Sequence, residues 1–179
     1  VGGTLDGMFK KLGGKNLSTI EVYHGGTEKV EHPICKLGRR NLDFGHGFYV
    51  TDIREQAVMW ANNMSRSRNL PPIVDRYKLN KINILKEAKC KIFTAYDEDW
   101  LQFIVANRSG KNVAKDFDYV EGGVANDRVV DTVNLYIAGL IELRTALREL
   151  SKHQPNNQIC ILNQDILNKY LIYDGTEEL

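Results

Sequence analysis

Apolar and polar residues form short alternating or apolar runs along most of the chain, and these runs predict strands. Candidate strands cover residues 19–23, 48–50, 73–79, 82–85, 91–94, 117–120, 159–162 and 170–173. Apolar residues at helical spacing predict helices over residues 53–68, 97–110, 129–150 and, as a short turn, 164–168. Strands outnumber helices and no regular crossovers separate them, so the pattern predicts an α+β domain.

Local signals predict where two of the helices begin and end. Asp52 followed by Glu55 fits a capping box, which places the start of the first helix, and Pro71 and Pro72 close it. The helix over residues 129–150 is predicted as one continuous element, because its apolar residues recur every three or four positions.

Length and composition indicate one globular domain. We expect it to span residues 18–179 of the 179-residue chain, with a flexible segment, rich in Gly and Lys, at residues 1–17. The chain begins with Val1, so we expect it to be part of a longer protein. A formal net charge of +1 points to neither a nucleic-acid nor a membrane partner, and no apolar run has the length of a membrane span.

Cysteine and histidine usage adds two expectations. The 3 cysteines have no paired spacing, which predicts free thiols and a reducing, cytoplasmic location, with Cys35 at the surface and Cys90 and Cys160 in the core. The 4 histidines never combine with each other or with cysteine at metal-ligand spacing, so no metal site is expected.

The stretch from residue 41 to residue 60 passes from a loop through a short strand into a helix. Gly45 and Gly47 precede the strand, and glycines let a ligand approach the backbone closely. Tyr49 and Trp60 flank the turn between strand and helix, which predicts a site for a flat ligand. Taken singly, each aromatic residue is more often part of a core, and the two glycines lack the rest of a dinucleotide fingerprint.

Three segments, taken in order, resemble the signature segments of the ADP-ribosyltransferase superfamily. They are Tyr23-His24-Gly25-Gly26, Gly45-His46-Gly47-Phe48-Tyr49 and Asn157-Gln158-Ile159-Cys160-Ile161. They are similar to its histidine–tyrosine–glutamate branch, which includes the poly(ADP-ribose) polymerases and the diphtheria-toxin-like enzymes. The spacing from Tyr49 to Trp60 also fits, with a tryptophan where the family usually has a second tyrosine.

The resemblance covers residues 19–173. Within the superfamily, the chain also resembles a bacterial domain family of unknown function, through Asp43-Phe44-Gly45, Ala125-Asn126-Asp127 and Asn157-Gln158. This resemblance implies two packed, mainly antiparallel sheets around an NAD+ cleft, with flanking helices.

The resemblance also implies roles for individual residues, with NAD+ as co-substrate and no metal. His24 would hydrogen-bond the adenine-side ribose, and Gly25 would offer backbone groups to the carboxamide of nicotinamide. Tyr49 and Trp60 would sandwich the nicotinamide ring. The remaining residues expected to bind the cofactor are Gly47, Phe48, Arg40, Asp43, Asn126 and Asp127.

Gln158 stands where the branch has a glutamate, and this is the main departure from its pattern. Gln158, Tyr49 and His24 are the candidate catalytic residues. A neutral amide supplies a hydrogen bond of about 0.5–1.5 kcal/mol, whereas a charged group supplies about 1.5–3 kcal/mol. Chain elongation relies on that glutamate in the family, so the resemblance implies mono-ADP-ribosylation, slow NAD+ hydrolysis or binding without turnover.

Four further polar residues lie near these segments, and three of them have more than one possible role. Asp127 is either the N-cap of the long helix or an acceptor-activating base or pocket contact. Asp43 is expected to fix the loop at the floor of the pocket. Arg39 and Arg40 are either solvated or, in one case, bound to the pyrophosphate of NAD+.

We therefore expect a mono-ADP-ribosyltransferase that moves ADP-ribose from NAD+ to a macromolecular acceptor, a protein rather than a nucleic acid, with release of nicotinamide. The alternatives are a non-catalytic module that binds NAD+ or ADP-ribose, an NAD+ glycohydrolase of the same fold, and a plain interaction domain. We expect a monomer without a membrane partner, in the cytoplasm or delivered to a host or competitor cell as a toxin-like effector.

Overall fold

Residues 18–179 form two sheets and six α-helices in the structure, a computed structural model that describes this range. The expectation of a flexible segment at residues 1–17 lies outside the described residues. The strands are β1 (Ile20–Gly26), β2 (Phe48–Val50), β3 (Ile73–Leu79), β4 (Cys90–Ile92), β5 (Tyr119–Gly122), β6 (Gln158–Ile161) and β7 (Leu171–Glu178). The helices are α1 (Arg54–Arg68), α2 (Lys81–Glu87), α3 (Glu98–Arg108), α4 (Asp127–Ile137), α5 (Leu143–Leu150) and α6 (Gln164–Tyr170), with short 3-10 helices at Cys35–Leu37 and Val113–Asp116.

The strands form one antiparallel and one mixed sheet, which confirms the prediction of an α+β domain with mainly antiparallel sheets. Sheet A has three strands in the order β1-β3-β7, all antiparallel. Sheet B has four strands in the order β2-β6-β5-β4, and its β4–β5 pair is parallel. A β-bridge between Tyr23 and Thr51 joins the edge strand β1 of sheet A to the end of β2 in sheet B.

Apolar side chains form three layers: one fills the space between the two sheets, and one covers the outer face of each sheet. The layer between the sheets includes Val22, Phe48, Tyr77, Leu79, Tyr119, Ile159 and Ile161. On the outer face of sheet B, a second layer joins the sheet to α3, α4 and α5 and includes Cys160, Val120, Trp100, Ile104, Val133 and Leu150. Helix α1 covers the outer face of sheet A through Ala57, Ala61 and Val74.

Helix α1 lies directly on β1 at Gly25. Strand β1 continues to Gly26, beyond the predicted end at residue 23. A Cβ atom on Gly25 would lie 1.9 Å from the carbonyl oxygen of Ala57 and 2.9 Å from the backbone nitrogen of Ala61. Only glycine allows the helix backbone to approach the strand this closely, and the small side chains of Ala57 and Ala61 complete the contact.

Residues 82–85 belong to helix α2, so the strand predicted there is wrong. The side chain of Asn80 accepts a hydrogen bond from the backbone N–H of Asn83 and caps the helix. Ile84 is buried, whereas Ile82 and Leu85 are exposed by 49% and 42%. Only one residue of this apolar run, Ile84, therefore faces the core, as expected for one side of a short helix and not for a buried strand.

The helix predicted over residues 129–150 is two helices, α4 and α5. Gly139 lies in the connection and has a φ of +71°, which glycine adopts without the steric penalty of a side chain. Val129 and Val133 of α4 pack in the same apolar layer as Ala146 and Leu150 of α5. A helical stripe therefore continues through the sequence although the helix itself does not.

The start of α1 and the positions of two cysteines also differ from the predictions. Ile53 occupies the N-cap position, and its N–H donates to Thr51 Oγ1 at 3.1 Å. Asp52 accepts a hydrogen bond from Asn157 Nδ2 at 3.0 Å instead of capping the helix. All three cysteines are free, with Cys35 and Cys160 buried and Cys90 half-buried.

No helix within residues 18–179 combines the length and the apolar character needed to cross a membrane.

The contact between Gly25 and α1 predicts a large effect of a small substitution. Gly25→Ala places a methyl group against the backbone of Ala57, so we expect it to lower the free energy of unfolding by about 3 kcal/mol. Urea unfolding measures this loss. The control is Gly38→Ala, where φ is −70° and the nearest atom to an added Cβ is 3.4 Å away. Equal stability of the two variants would contradict the close contact.

Candidate functional site

Strands β1 and β2 begin to pair and then separate at His24. The N–H of Tyr23 donates to the carbonyl of Thr51 at 2.8 Å, and the N–H of Thr51 donates to the carbonyl of Tyr23 at 2.9 Å. If this antiparallel ladder continued, Gly25 would face Tyr49. Instead, Nδ1 of the His24 ring lies 2.7 Å from the carbonyl oxygen of Tyr49. A side chain therefore replaces the next backbone pair, and we call the resulting gap the β1–β2 split.

The surroundings of His24 fix its ring and its protonation. The ring stacks on Phe48 with centroids 4.6 Å apart. A carbonyl oxygen only accepts, so the bond to Tyr49 places the ring proton on Nδ1 and leaves the Nε2 lone pair of the neutral ring free to accept. Burial lowers the pKa of His24 below 6.5, against the opposing effects of the Tyr49 carbonyl and of buried Asp75. At neutral pH, His24 therefore presents a hydrogen-bond acceptor.

The backbone of Gly25 faces the β1–β2 split. Tyr23 turns both of its backbone polar groups toward β2, and alternate residues of a strand turn theirs to the same side. Gly25 therefore turns its N–H and its C=O toward the gap that His24 opens. Together they form an adjacent donor and acceptor at the edge of the sheet.

Tyr49 is held by the loop that precedes β2. Its hydroxyl donates to the carbonyl of Gly45 at 2.6 Å and accepts from the N–H of Phe44 at 3.1 Å. Burial raises the pKa of Tyr49 well above 10.0, so the hydroxyl stays protonated. Because both bonds hold the loop, the hydroxyl has a structural role, and the aromatic ring is the part of Tyr49 that suits a ligand.

The loop before β2 is in turn anchored to helix α3. Asp43 accepts from Arg108 Nε at 2.6 Å, and the carbonyl of Asp43 accepts from Asn107 Nδ2 at 2.9 Å. The expected role of Asp43 in fixing this loop agrees with these contacts. A Cβ atom on Gly47 would lie 2.6 Å from Cys160 Sγ, so close packing against β6 explains this glycine.

Gln158 lies on the same face of sheet B as Tyr49. Tyr49 pairs with Cys160, and Gln158 is two residues before Cys160 on β6, so side-chain alternation puts them on one face. Gln158 is 5% exposed, and its Nε2 has no hydrogen-bond partner among residues 18–179. The residue opposite on β5 is Gly122, which has no side chain to pair with it.

Asn157 holds the backbone just before Gln158. Its Nδ2 donates to Asp52 Oδ1 at 3.0 Å and to Glu121 Oε1 at 3.1 Å, and its carbonyl accepts from Thr51 Oγ1 at 2.7 Å. Glu121 also accepts from Lys81 Nζ at 2.8 Å and from the hydroxyl of Tyr119 at 2.5 Å.

Glu121 is a buried carboxylate that the sequence analysis missed. It pairs with Ile159 in the sheet, so it points away from the face that carries Gln158. The alternation of Tyr119 and Glu121 on one strand face was the signal that could have identified it.

Trp60 lies on the side of α1 that faces the end of sheet B. Ala57 and Ala61 point at sheet A, whereas Gln56 and Trp60, four residues apart, share a neighbouring side of the helix. Gln56 Oε1 accepts from Asn156 Nδ2 at 3.0 Å, which fixes this side toward the loop before β6. Trp60 is half-buried there.

Asn126 and Asp127 line a cavity of about 350 Å³ at the start of α4. Tyr96, Asn156 and His153 belong to the same lining. Asn126 occupies the N-cap position, without a side-chain hydrogen bond to the helix, so Asp127 is not the N-cap. Asp127 is instead the first helical residue and has a left-handed φ of +46°.

The remaining predicted residue, Arg40, is exposed in the loop before β2. Among residues 18–179, no three His, Cys, Asp or Glu side chains lie close enough together to hold a metal ion.

The lowered pKa of His24 predicts a pH-dependent contribution to stability. Between 6.5 and the lower pKa of the folded protein, the unfolded chain binds a proton that folded His24 does not. We therefore expect the stabilisation from His24 to be complete above pH 6.5 and to decline as the pH falls below it. Urea unfolding at a series of pH values should show that the wild type loses stability relative to His24→Asn as the pH falls from 8 to 5. The amide of the asparagine can still donate to the carbonyl of Tyr49. A difference that does not change with pH would contradict this assignment.

One comparison with known proteins gives a match. The family model described as a protein of unknown function (DUF3990) matches residues 20–173, from the first residue of β1 into β7. No curated protein matches the chain, and no solved structure matches it. The matched range contains the β1–β2 split, α1 and Gln158, and the chain therefore belongs to the DUF3990 family.

Proposed function

We propose that this domain is a mono-ADP-ribosyltransferase with an ADP-ribosyltransferase-like fold, and that NAD+ binds at the β1–β2 split. The observation that carries the proposal is the split itself. His24 interrupts the ladder at the carbonyl of Tyr49, and the interruption leaves the N–H and C=O of Gly25 turned toward the gap between the two strands. The three segments that resemble the superfamily also lie side by side, because β2 meets β1 at the Tyr23–Thr51 bridge and pairs with β6 on its other side.

The split suits the nicotinamide group of NAD+. A primary carboxamide carries one acceptor oxygen and an NH2 donor, and the N–H and C=O of Gly25 are complementary to both. The aromatic ring of nicotinamide is flat and can stack against Tyr49 on one side and Trp60 on the other. The neutral His24 can accept a hydrogen bond from a ribose hydroxyl through Nε2.

The residues at the split also suit the chemistry of the bond that breaks. The C1′–N bond breaks with its electron pair leaving on nicotinamide, the acceptor's nucleophilic atom bonds to C1′, and that atom loses its proton. In NAD+ the nicotinamide ring is already a cationic pyridinium, so it can leave without a general acid. The leaving group of an ordinary glycoside, in contrast, has to be protonated. The Tyr49 hydroxyl is protonated and makes two hydrogen bonds, which supports a role for Tyr49 in positioning the nicotinamide ring instead of transferring a proton. Gln158 would orient the nicotinamide-side ribose.

The neutral side chain of Gln158 sets the expected extent of reaction. A carboxylate would stabilise the positive charge that develops on the ribose, whereas an amide offers a weaker, uncharged hydrogen bond. We therefore propose transfer of a single ADP-ribose, at a low rate, to a protein acceptor. The near-neutral charge of the chain gives no electrostatic support for a nucleic-acid acceptor. The cytoplasmic location, the toxin-like effector role and the monomeric state stay predictions.

A non-catalytic NAD+ or ADP-ribose binding module is the second candidate. Gln158 is neutral, and the buried carboxylate of Glu121 points to the other face of sheet B, where three donors pair with it. This arrangement supports binding without turnover. Nicotinamide release distinguishes the two candidates, and release without a labelled acceptor would favour the NAD+ glycohydrolase.

Gln158→Glu tests the reaction directly. We expect the wild type to release nicotinamide from NAD+ slowly and Gln158→Glu to release it about tenfold faster, because a charged acceptor stabilises the developing positive charge more strongly. Chromatography of nicotinamide and mass spectrometry of an ADP-ribose adduct provide the measurements.

Two control variants accompany this experiment. Gln102→Glu makes the same change at an exposed position of α3, where a carboxylate can still accept from the Tyr136 hydroxyl, and should not alter release. Tyr49→Ala should abolish release, and its melting temperature shows whether the domain stays folded. Tight NAD+ binding without release by the wild type or Gln158→Glu would leave only the binding module, and absence of NAD+ binding would overturn both candidates.

A further inference from the structure

Gln56, in the first turn of α1, has a buried amide with one unpaired end. It is 4% exposed, and its Nε2 has no hydrogen-bond partner within residues 18–179. Its Oε1 is fixed by Asn156 Nδ2 at 3.0 Å. A buried polar group without a partner is unfavourable, because folding has removed its hydrogen bonds to water.

The unpaired end of Gln56 lies on the same side of β6 as Gln158. Gln158 alternates with Ile159 along β6 and so shares the outer face of sheet B with Cys160. Asn156 binds Gln56 there, and its Oδ1 lies 2.9 Å from the Tyr96 hydroxyl in the layer outside sheet B.

Two of the buried unpaired side-chain atoms in the described range therefore lie at one end of sheet B. The atoms in this class are Thr27 Oγ1, Gln56 Nε2 and Gln158 Nε2. Gln56 is also next to Ala57, whose carbonyl touches Gly25. Gln56 therefore lies near Gly25, and Gln158 lies one strand beyond β2, next in register to the Thr51 end of that strand.

We propose that Gln56 is a second substrate-binding amide, which contacts the nicotinamide-side ribose of NAD+ together with Gln158. This inference rests on the proposed function. A ribose carries two adjacent hydroxyl groups, and each hydroxyl both donates and accepts. One hydroxyl can therefore accept from Nε2 of Gln56, whose Oε1 is held by Asn156, while the other pairs with the amide of Gln158. Gln56 then contributes to the recognition of a ribose over a sugar that lacks a hydroxyl.

Calorimetric titration with three ligands tests the position of the contact. NAD+ and ADP-ribose contain the nicotinamide-side ribose, whereas ADP lacks it. For Gln56→Met, which keeps the length of the side chain and removes the amide, we expect NAD+ and ADP-ribose to bind about tenfold more weakly. We expect the affinity for ADP to change less than about twofold, because ADP makes no contact with Gln56.

Thermal unfolding separates a ligand contact from a structural role. Gln56→Met loses the bond to Asn156 but also removes the unpaired amide end, so we expect its melting temperature to fall by at most about 2 °C. The matched control is Gln164→Met, because Gln164 is paired at both ends, accepting from Cys35 N–H at 2.9 Å and donating to the Pro33 carbonyl at 3.0 Å. Gln164→Met should melt several degrees lower and bind all three ligands as the wild type does.

Each outcome decides one of the claims. If the wild type does not bind NAD+, the proposed function fails and this inference fails with it. If the wild type binds NAD+ and Gln56→Met binds it equally well, only the role of Gln56 is overturned. Equal weakening for ADP would overturn the ribose contact, and a melting temperature as low as that of Gln164→Met would make Gln56 a structural amide. Gln56→Leu, measured in the same way, replaces Gln56→Met if that variant does not fold.

Discussion

The arrangement of the candidate site depends on one hydrogen bond, between the imidazole of His24 and the carbonyl oxygen of Tyr49. Two residues before Gly25 on β1, Tyr23 exchanges both backbone hydrogen bonds with Thr51. The ladder would continue if Gly25 reached Tyr49, but the His24 ring already occupies the acceptor. The backbone polar groups of Gly25 are consequently left for another partner. A side chain thus leaves a backbone donor and a backbone acceptor exposed to the gap at the edge of the sheet.

A second constraint, the contact of Gly25 with α1, fixes what surrounds that edge. The helix backbone lies so close to the strand that no side chain fits between them. Once Ala57 and Ala61 face the strand, the geometry of the helix places Gln56 and Trp60 on its neighbouring side. The bond from Asn156 to Gln56 then directs this side toward the beginning of β6. The positions of Gln56 and Trp60 therefore follow from a glycine on another element.

Sequence periodicity located most of the elements, and its failures have physical reasons. Strand β3 and helices α1 and α3 are close to their predicted ranges. The Asp97 cap was a clear start signal for α3, whereas the start of α1 was located although Asp52 does not cap it. Residues 82–85 include three apolar residues, two of them β-branched, as a strand would, but the Asn80 cap starts a helix there. The stripe over residues 129–150 continues across a turn at Gly139, since both helices pack on one apolar layer.

The residues of the site were predictable to different degrees. Tyr49, His24 and Gln158 stand in recognisable segments, but their common location depends on strand register, which those segments do not encode. Gln56 gave no signal, because a glutamine on a helix normally faces water. Its burial depends on the distant Asn156, across a long-range contact that no local pattern predicts.

The choice of side chain at position 158 also has a physical reason. A carboxylate at this buried position would lack a paired donor, and burying an unpaired charge costs far more than burying an unpaired amide. The buried carboxylate of Glu121 lies on the other face of sheet B, where Lys81, Tyr119 and Asn157 pair with it. Glu121 thereby stabilises the backbone that presents Gln158. A neutral residue can stay buried here without a charged partner. On the proposed function, it also lacks the charge that would accelerate cleavage of NAD+.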